Sequence, residues 1–349
     1  MNTFALDPGV FSIQKGSPRP RLLAQLKLIF QLEQASHDRF LNLLLPRQVI
    51  RILQRADVYP SHDHIAAELA RTGLRDVYSV TDVCSKIDAL LQFSELEACL
   101  EIEEAVWTDF VGTPSATTIH SSLVLIEVLE RILVFIAFAQ KINGASPSLI
   151  SLFQEIQVEV SAIIHMIEPD SKNSLLPLVL NESIQHLVNV DSALDAIDPL
   201  QIWQRATDSK DIKLAIILAA RKMLMEDGKS VTLANMPKFL IGSEFVNSLK
   251  NWQAFQLGEH SSVVLQKCAA ICINRANVAI NEFREDKNKH SSTVFRKVDR
   301  AKAFRTHIGG SGLGLRLMLW ENSDGVYEFA NVGSKNELVI EYGIASKAI

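Results

Sequence analysis

Along most of this chain apolar residues recur three and four positions apart, the period of one buried helix face. That spacing predicts helices over about 21–34, 47–56, 62–72, 80–93, 120–142, 147–167, 190–205, 210–226, 242–257 and 261–286. Start and stop residues fall between them. Pro60-Ser61 opens one helix and Gly73 closes it, Asn143-Gly144 with Pro147 separates the two long central segments, and Asp227-Gly228 ends another. After about Ser291 the period drops to two. Leu313, Leu315, Leu317 and Leu319 then share one strand face, with Gly314, Arg316, Met318 and Trp320 on the other. Asn322-Ser323-Asp324-Gly325 reads as a turn, VYEFANV as a second strand, Gly333-Ser334-Lys335-Asn336 as a second turn and ELVIEY as a third strand. No fixed-period repeat is present, which argues against a solenoid.

These elements predict a mainly α protein in three parts. Residues 1–20 form an N-terminal arm, 21–257 a large irregular helical domain, and 258–349 a small C-terminal α+β module. In that module a long helix and a shorter one over about 294–305 pack on a three-stranded antiparallel meander. Within the helical part, Ser61 to Phe93 could form a helix-turn-helix through Gly73. The second of those helices carries Asp82 and Asp88 beside Lys86, a poor approach to phosphate, so a plain helical hairpin is the expectation. Arg47, Arg51 and Arg55 on the preceding helix keep a DNA contact open.

Composition narrows the class. The chain has 349 residues, 48% hydrophobic and 21% charged, enough for two domains with cores. Its N-terminus lacks the apolar run of an export signal. The most apolar window, Ser121 to Gln140, contains Glu127, Glu130 and Arg131, so it is expected to be a buried core helix and no membrane contact is predicted. Four cysteines make no disulfide framework, and a reducing cytoplasm is the expected compartment. Cys268 and Cys272 share a helix face with no second pair nearby, and His62 and His64 do not face each other on a helix, so no metal and no cofactor are predicted.

Charge is unevenly distributed: residues 1–75 carry net +4, 76–200 net −15 and 201–349 net +6. The acidic middle keeps its apolar period, so its carboxylates are expected on wet helix faces. The local basic patch lies within 284–316. Arg296, Lys297, Arg300 and Lys302 are the candidate nucleic-acid contacts, because guanidinium and ammonium groups suit phosphate oxygens. Arg305, His307 and Arg316 form a candidate catalytic group, two fixed cations around an imidazole that can move a proton near neutral pH.

Two resemblances follow from these residues. IGGSGLGLRL, from Ile308 to Leu317, resembles the second glycine box of histidine-kinase-type ATPase domains. That family also requires an upstream Asn-bearing helix at longer spacing and an Asp-x-Gly-x-Gly element, and this chain has neither, so the expectation is a pliant lead into a strand. Helices followed by an antiparallel sheet, with His307 among arginines, resemble small ribonuclease toxins of the RelE and barnase kind, which implies an RNA-cleaving effector regulated by the helical domain. The Arg300 to His307 spacing also resembles a pattern of helical ribonucleases. Since no complete acid, base and nucleophile set can be named, the expected function is a non-enzymatic interaction or scaffold protein. Its helical domain would bind a protein partner and its basic module DNA or RNA, as part of a bacterial defence or toxin-type complex.

Overall fold

The structure, a computed structural model, describes residues 3–37, 40–144, 147–152, 157–169, 175–229, 231, 235–275, 279–285, 292–308 and 314–343. It is 43% helix and 24% strand, with a seven-stranded mixed sheet and a five-stranded sheet, so the chain is an α/β protein and not the mainly α, all-helical one predicted above. It divides into two compact units, Met1–Leu194 and Asp195–Ile349. Residues 195–257, assigned above to the helical domain, therefore belong with the C-terminal unit.

In chain order the first unit runs β1 (Thr3–Leu6), α1 (Arg19–His37), β2 (Asn42–Leu45), α2 (Val49–Arg55), α3 (His62–Thr72), α4 (Val80–Leu90), β3 (Ser94–Glu95), α5 (Leu96–Leu100), β4 (Glu104–Thr113), α6 (Leu123–Asn143), β5 (Ser148–Ile150), β6 (Gln157–Glu168), β7 (Leu178–Leu187) and α7 (Val190–Ala196). The sheet order is β3-β2-β1-β5-β7-β6-β4. Strands from β3 to β7 are parallel, and β6 and β4 add an antiparallel ribbon. The expected N-terminal arm is thus a central strand. Phe4, Ala5 and Leu6 are buried on both faces, and a strand of this kind offers no alternation to read. The helix expected over 147–167 is β5 and β6, where Val158, Val160, Ala162 and Ile164 keep a period of two.

Helices α3 and α4 do form the expected hairpin. Ser61 caps α3 by accepting from the His64 N–H, Gly73 closes it with φ 65°, and Ser79 caps α4. Lys86 donates to Glu33 on α1 at 2.6 Å, which ties α4 back to the unit.

The second unit continues with α8 (Pro199–Arg205), α9 (Ser209–Glu226), β8 (Phe239–Ile241), α10 (Phe245–Asn251), α11 (Ser261–Cys272), β9 (Ile280–Glu282), β10 (Lys302–His307), β11 (Leu315–Glu321) and β12 (Tyr327–Ser334). Its sheet order is β8-β12-β11-β10-β9. The β11–β12 hairpin turns at 322–325 as the sequence indicates. The segment expected as a third strand, 337–342, is not one, and the helix expected over about 294–305 is absent, its last residues 302–305 lying in β10. Leu315, Leu317 and Leu319 of β11 pack toward a core with Trp203, Ile216, Phe245, Leu265 and Cys268 from the helices. The opposite face, with Ala303, Met318, Trp320 and Ala330, forms a smaller cluster with Phe283. Segment 335–343 lies along that face: the Trp320 indole N–H donates to the Glu341 carbonyl at 2.7 Å, and Asn331 exchanges bonds with Val339 and Glu341.

One polar pair fixes the centre of the first unit. Asp7 follows β1, is fully buried, and accepts from the Gly9 N–H at 2.9 Å and from His120 Nε2 at 2.9 Å. Gly9 has to be glycine because a Cβ there would lie 2.0 Å from the His120 ring. Burial lowers the His120 pKa, but the Asp7 charge and hydrogen bond raise it further, so its net shift is upward. A group whose folded pKa is raised contributes stability that is fully present below its unfolded value, about 6.5, and is lost as pH rises through the folded value. The stability difference between wild type and His120→Asn, measured by urea unfolding, should therefore be larger at pH 6 than at pH 9; equal differences would rule out a charged pair.

Candidate nucleic-acid interface

The register of β10 against β11 sets the geometry of the C-terminal basic residues. His307 lies directly opposite Arg316 and Arg305 opposite Met318, so the three candidate catalytic residues share one sheet face at one end of the hairpin. Directly paired side chains have Cβ atoms about 4.5–5.5 Å apart. The connection between the two strands, which holds Gly309, Gly310 and Gly312 of the glycine stretch, lies outside the described residues.

Arg316 is the unusual member. It is only 7% exposed, and its one hydrogen bond is from Nη1 to the Leu315 carbonyl at 3.1 Å. No carboxylate among the described residues pairs with it. Burial and the nearby Arg305 charge both lower its pKa. His307, at the exposed edge, is lowered by burial and then by Arg316, Lys335, Arg305 and Lys267. Five basic side chains thus act on one region. Glu337, on the turn beside Lys335, spends its Oε1 on the N–H groups of Leu338 and Val339 at 3.0 Å each. Arg305 places its guanidinium over the Phe283 ring at 5.7 Å, a cation–π contact.

The four residues expected to touch phosphate lie around the turn before β10, away from His307, and two of them are engaged internally. Arg296 is 4% exposed and committed internally: Nε and Nη2 donate to Asp299 at 2.9 and 2.6 Å, and Nη1 donates to Glu328 at 2.8 Å and to the Tyr342 carbonyl at 2.7 Å. Its guanidinium also lies over Trp320 at 5.2 Å. It is a structural cation, and no side remains for a phosphate. Lys302 donates to Glu282 at 2.6 Å. Lys297 and Arg300 are exposed at the turn before β10, where Arg300 has φ 62° and covers Phe295 at 5.3 Å. This turn adjoins Lys302, at the opposite end of β10 from His307.

Lys335 and Lys267 join the cluster without having been singled out in the sequence. Lys335 reads only as a turn residue, and Lys267 as one polar position on α11; no spacing signal links either to His307. Among the described residues no group of three or more His, Cys, Asp or Glu side chains could hold a metal ion, and no helix is long and apolar enough to cross a membrane. No protein family, no curated protein and no solved structure matches this chain.

Two arginines on one sheet face therefore behave in opposite ways. Arg296→Ala should cost about 3–5 kcal/mol, because it removes the cation that pairs with buried Glu328. Arg316→Met should leave stability unchanged or raise it by about 1–2 kcal/mol, because it removes a buried charge that lacks a counter-ion. Chemical denaturation of both variants tests the contrast, and comparable losses would contradict the assignment of Arg316 as unpaired.

Proposed function

We propose that the C-terminal unit binds nucleic acid through its phosphodiester backbone, with Arg316, Arg305 and His307 as the contact group and Lys335 and Lys267 supplying surrounding positive potential. The observation that carries this reading is the buried Arg316 guanidinium without a carboxylate partner. An unpaired buried cation is costly, and an incoming phosphate is the counter-ion that removes the cost while accepting hydrogen bonds in the planar geometry a guanidinium offers. The protein then acts as a binding component of a larger cytoplasmic assembly, with the α/β first unit available to a protein partner. Buried, unbridged Cys268 and Cys272, both pushed upward in pKa by burial, fit a reducing compartment.

A second reading, RNA cleavage, draws on His307. Its lowered pKa keeps the imidazole neutral at neutral pH, ready to take a proton from a ribose hydroxyl between two guanidinium groups able to stabilise a phosphorane. It lacks a named acid to complete the proton transfer, which leaves binding as the preferred function.

Fluorescence anisotropy with a labelled single-stranded RNA and a DNA duplex distinguishes the two. Arg305→Ala and Arg316→Met should each weaken binding and lower the slope of log K against log salt by about 0.7–0.9 for each phosphate that is no longer neutralised. His307→Ala should change affinity only a few-fold, and the wild type should leave the RNA intact. Cleavage that disappears in His307→Ala would establish the second reading, and unchanged salt slopes in both arginine variants would remove the first.

A further inference from the structure

The first unit contains a cleft that the nucleic-acid reading does not use. Ligands of open α/β sheets gather outside the carboxyl ends of the strands, at the point where strand order reverses. In this sheet the reversal lies between β1 and β5, and that position is filled by the buried Asp7–His120 pair. Beside it, past the ends of β2 and β3, a cleft of about 490 Å³ opens between α2, α6 and the start of β4. That volume falls in the range of small-molecule sites, about 300–1,000 Å³.

Its floor is built. Glu97 is 3% exposed and accepts from the Arg47 N–H through Oε2 at 2.8 Å, while its Oε1 lies 3.3 Å from Arg131 Nη2. Glu97 thus holds the Arg47 backbone and the Arg131 guanidinium, and the Arg47 guanidinium pairs with Glu95 at 3.2 Å, so two of the four arginines that line the cleft are committed. The other two are not held this way. Arg51 and Arg55 lie one helical turn apart on α2, exposed, and neither forms an ion pair with a described residue. Around them the cleft is lined by Glu103, Glu104, Glu127 and Glu130, also without ion pairs among the described residues, together with half-buried Trp107. Burial and the neighbouring Glu127 charge both raise the Glu130 pKa, the mark of carboxylates short of a cation.

Opposite charges that line one cleft without closing on each other call for a ligand carrying both. A simple anion would meet four carboxylates, and a simple cation two guanidinium groups. Arg51 and Arg55 suit a carboxylate, which each can bind bidentately. The glutamates with the Trp107 face suit ammonium or guanidinium groups, by charge and by cation–π attraction. With four carboxylates against two free arginines, the matching ligand has more cationic than anionic groups. We infer that this cleft binds a free α-amino acid with a cationic side chain, its carboxylate on Arg51 and Arg55 and its cationic groups on the glutamate wall.

The site is independent of the nucleic-acid interface, and so is its test. Isothermal titration of the full chain with L-arginine and L-lysine should show saturable binding of at least one, at least 10-fold tighter than inorganic phosphate, spermidine or Nα-acetyl-L-arginine amide. The double variant Arg51→Ala/Arg55→Ala and the variant Glu127→Gln, all at exposed positions, should each weaken it 10-fold or more while the thermal transition stays in place. Absence of binding by both amino acids overturns the inference. Equal binding of the acetylated amide overturns the role of the arginines, and equal binding of spermidine or phosphate overturns the requirement for both charges.

Discussion

The antiparallel register between β10 and β11 is the constraint on which the second unit depends. Because side chains alternate across a sheet, the register that sends Leu317 and Leu319 into the helical core also sets His307 against Arg316 on the other face. A slip of one residue would take the leucines out of that core and turn the arginine into it. Two apolar clusters, one on each face, hold the strand against that slip. The basic group is therefore positioned by core packing, and its alignment needs no attraction among its own members. That matters, since those members repel one another and no carboxylate among the described residues holds them together.

Arg296 and Arg316 show how far a residue's role depends on placement. Both are almost fully buried on the same side of the five-stranded sheet. Arg296 sits in a closed network with Asp299, Glu328 and the Tyr342 carbonyl, stacked on Trp320, which satisfies its donors and anchors the 335–343 segment. Arg316 has one carbonyl. A buried charge with its partners in place is neutral in the energy balance, and one without them is expensive.

Helix periodicity was the readable part of this sequence. Ser61 and Gly73 bound α3 as expected, and α4, α6 and α9 fall where their apolar faces put them. The strands were harder to read for physical reasons. Thr3–Leu6 is buried on both faces and four residues long, too short and too uniform to show a period. In β4 exposed and half-buried residues alternate without a buried face, so Glu104, together with Glu101 and Glu103 just before the strand, reads like the wet side of a helix. The run from Lys302 to His307 is only six residues long and mixes basic with apolar residues, yet Phe304 and Thr306 alternate with Ala303 and Arg305 across β10. The candidate site was legible to the extent that its three named residues share a face. The electrostatic effect of Lys335 and Lys267 on His307 was not, because it acts between residues far apart in the chain and follows from no local spacing.

The division of the chain also reorganises its charge. Counted over the two units, the first carries net −9 and the second net +4. A polyanion approaching from solution is repelled by one unit and attracted by the other, and at physiological salt that discrimination acts over about 8 Å, close to the surface. The acidic excess of the first unit would be a handicap if its cleft received phosphate chains. It is an advantage for a small ligand with surplus positive charge, which the same field draws in. The two sites proposed above would then not compete for each other's ligand, because the carboxylates that line the cleft repel a polyanion.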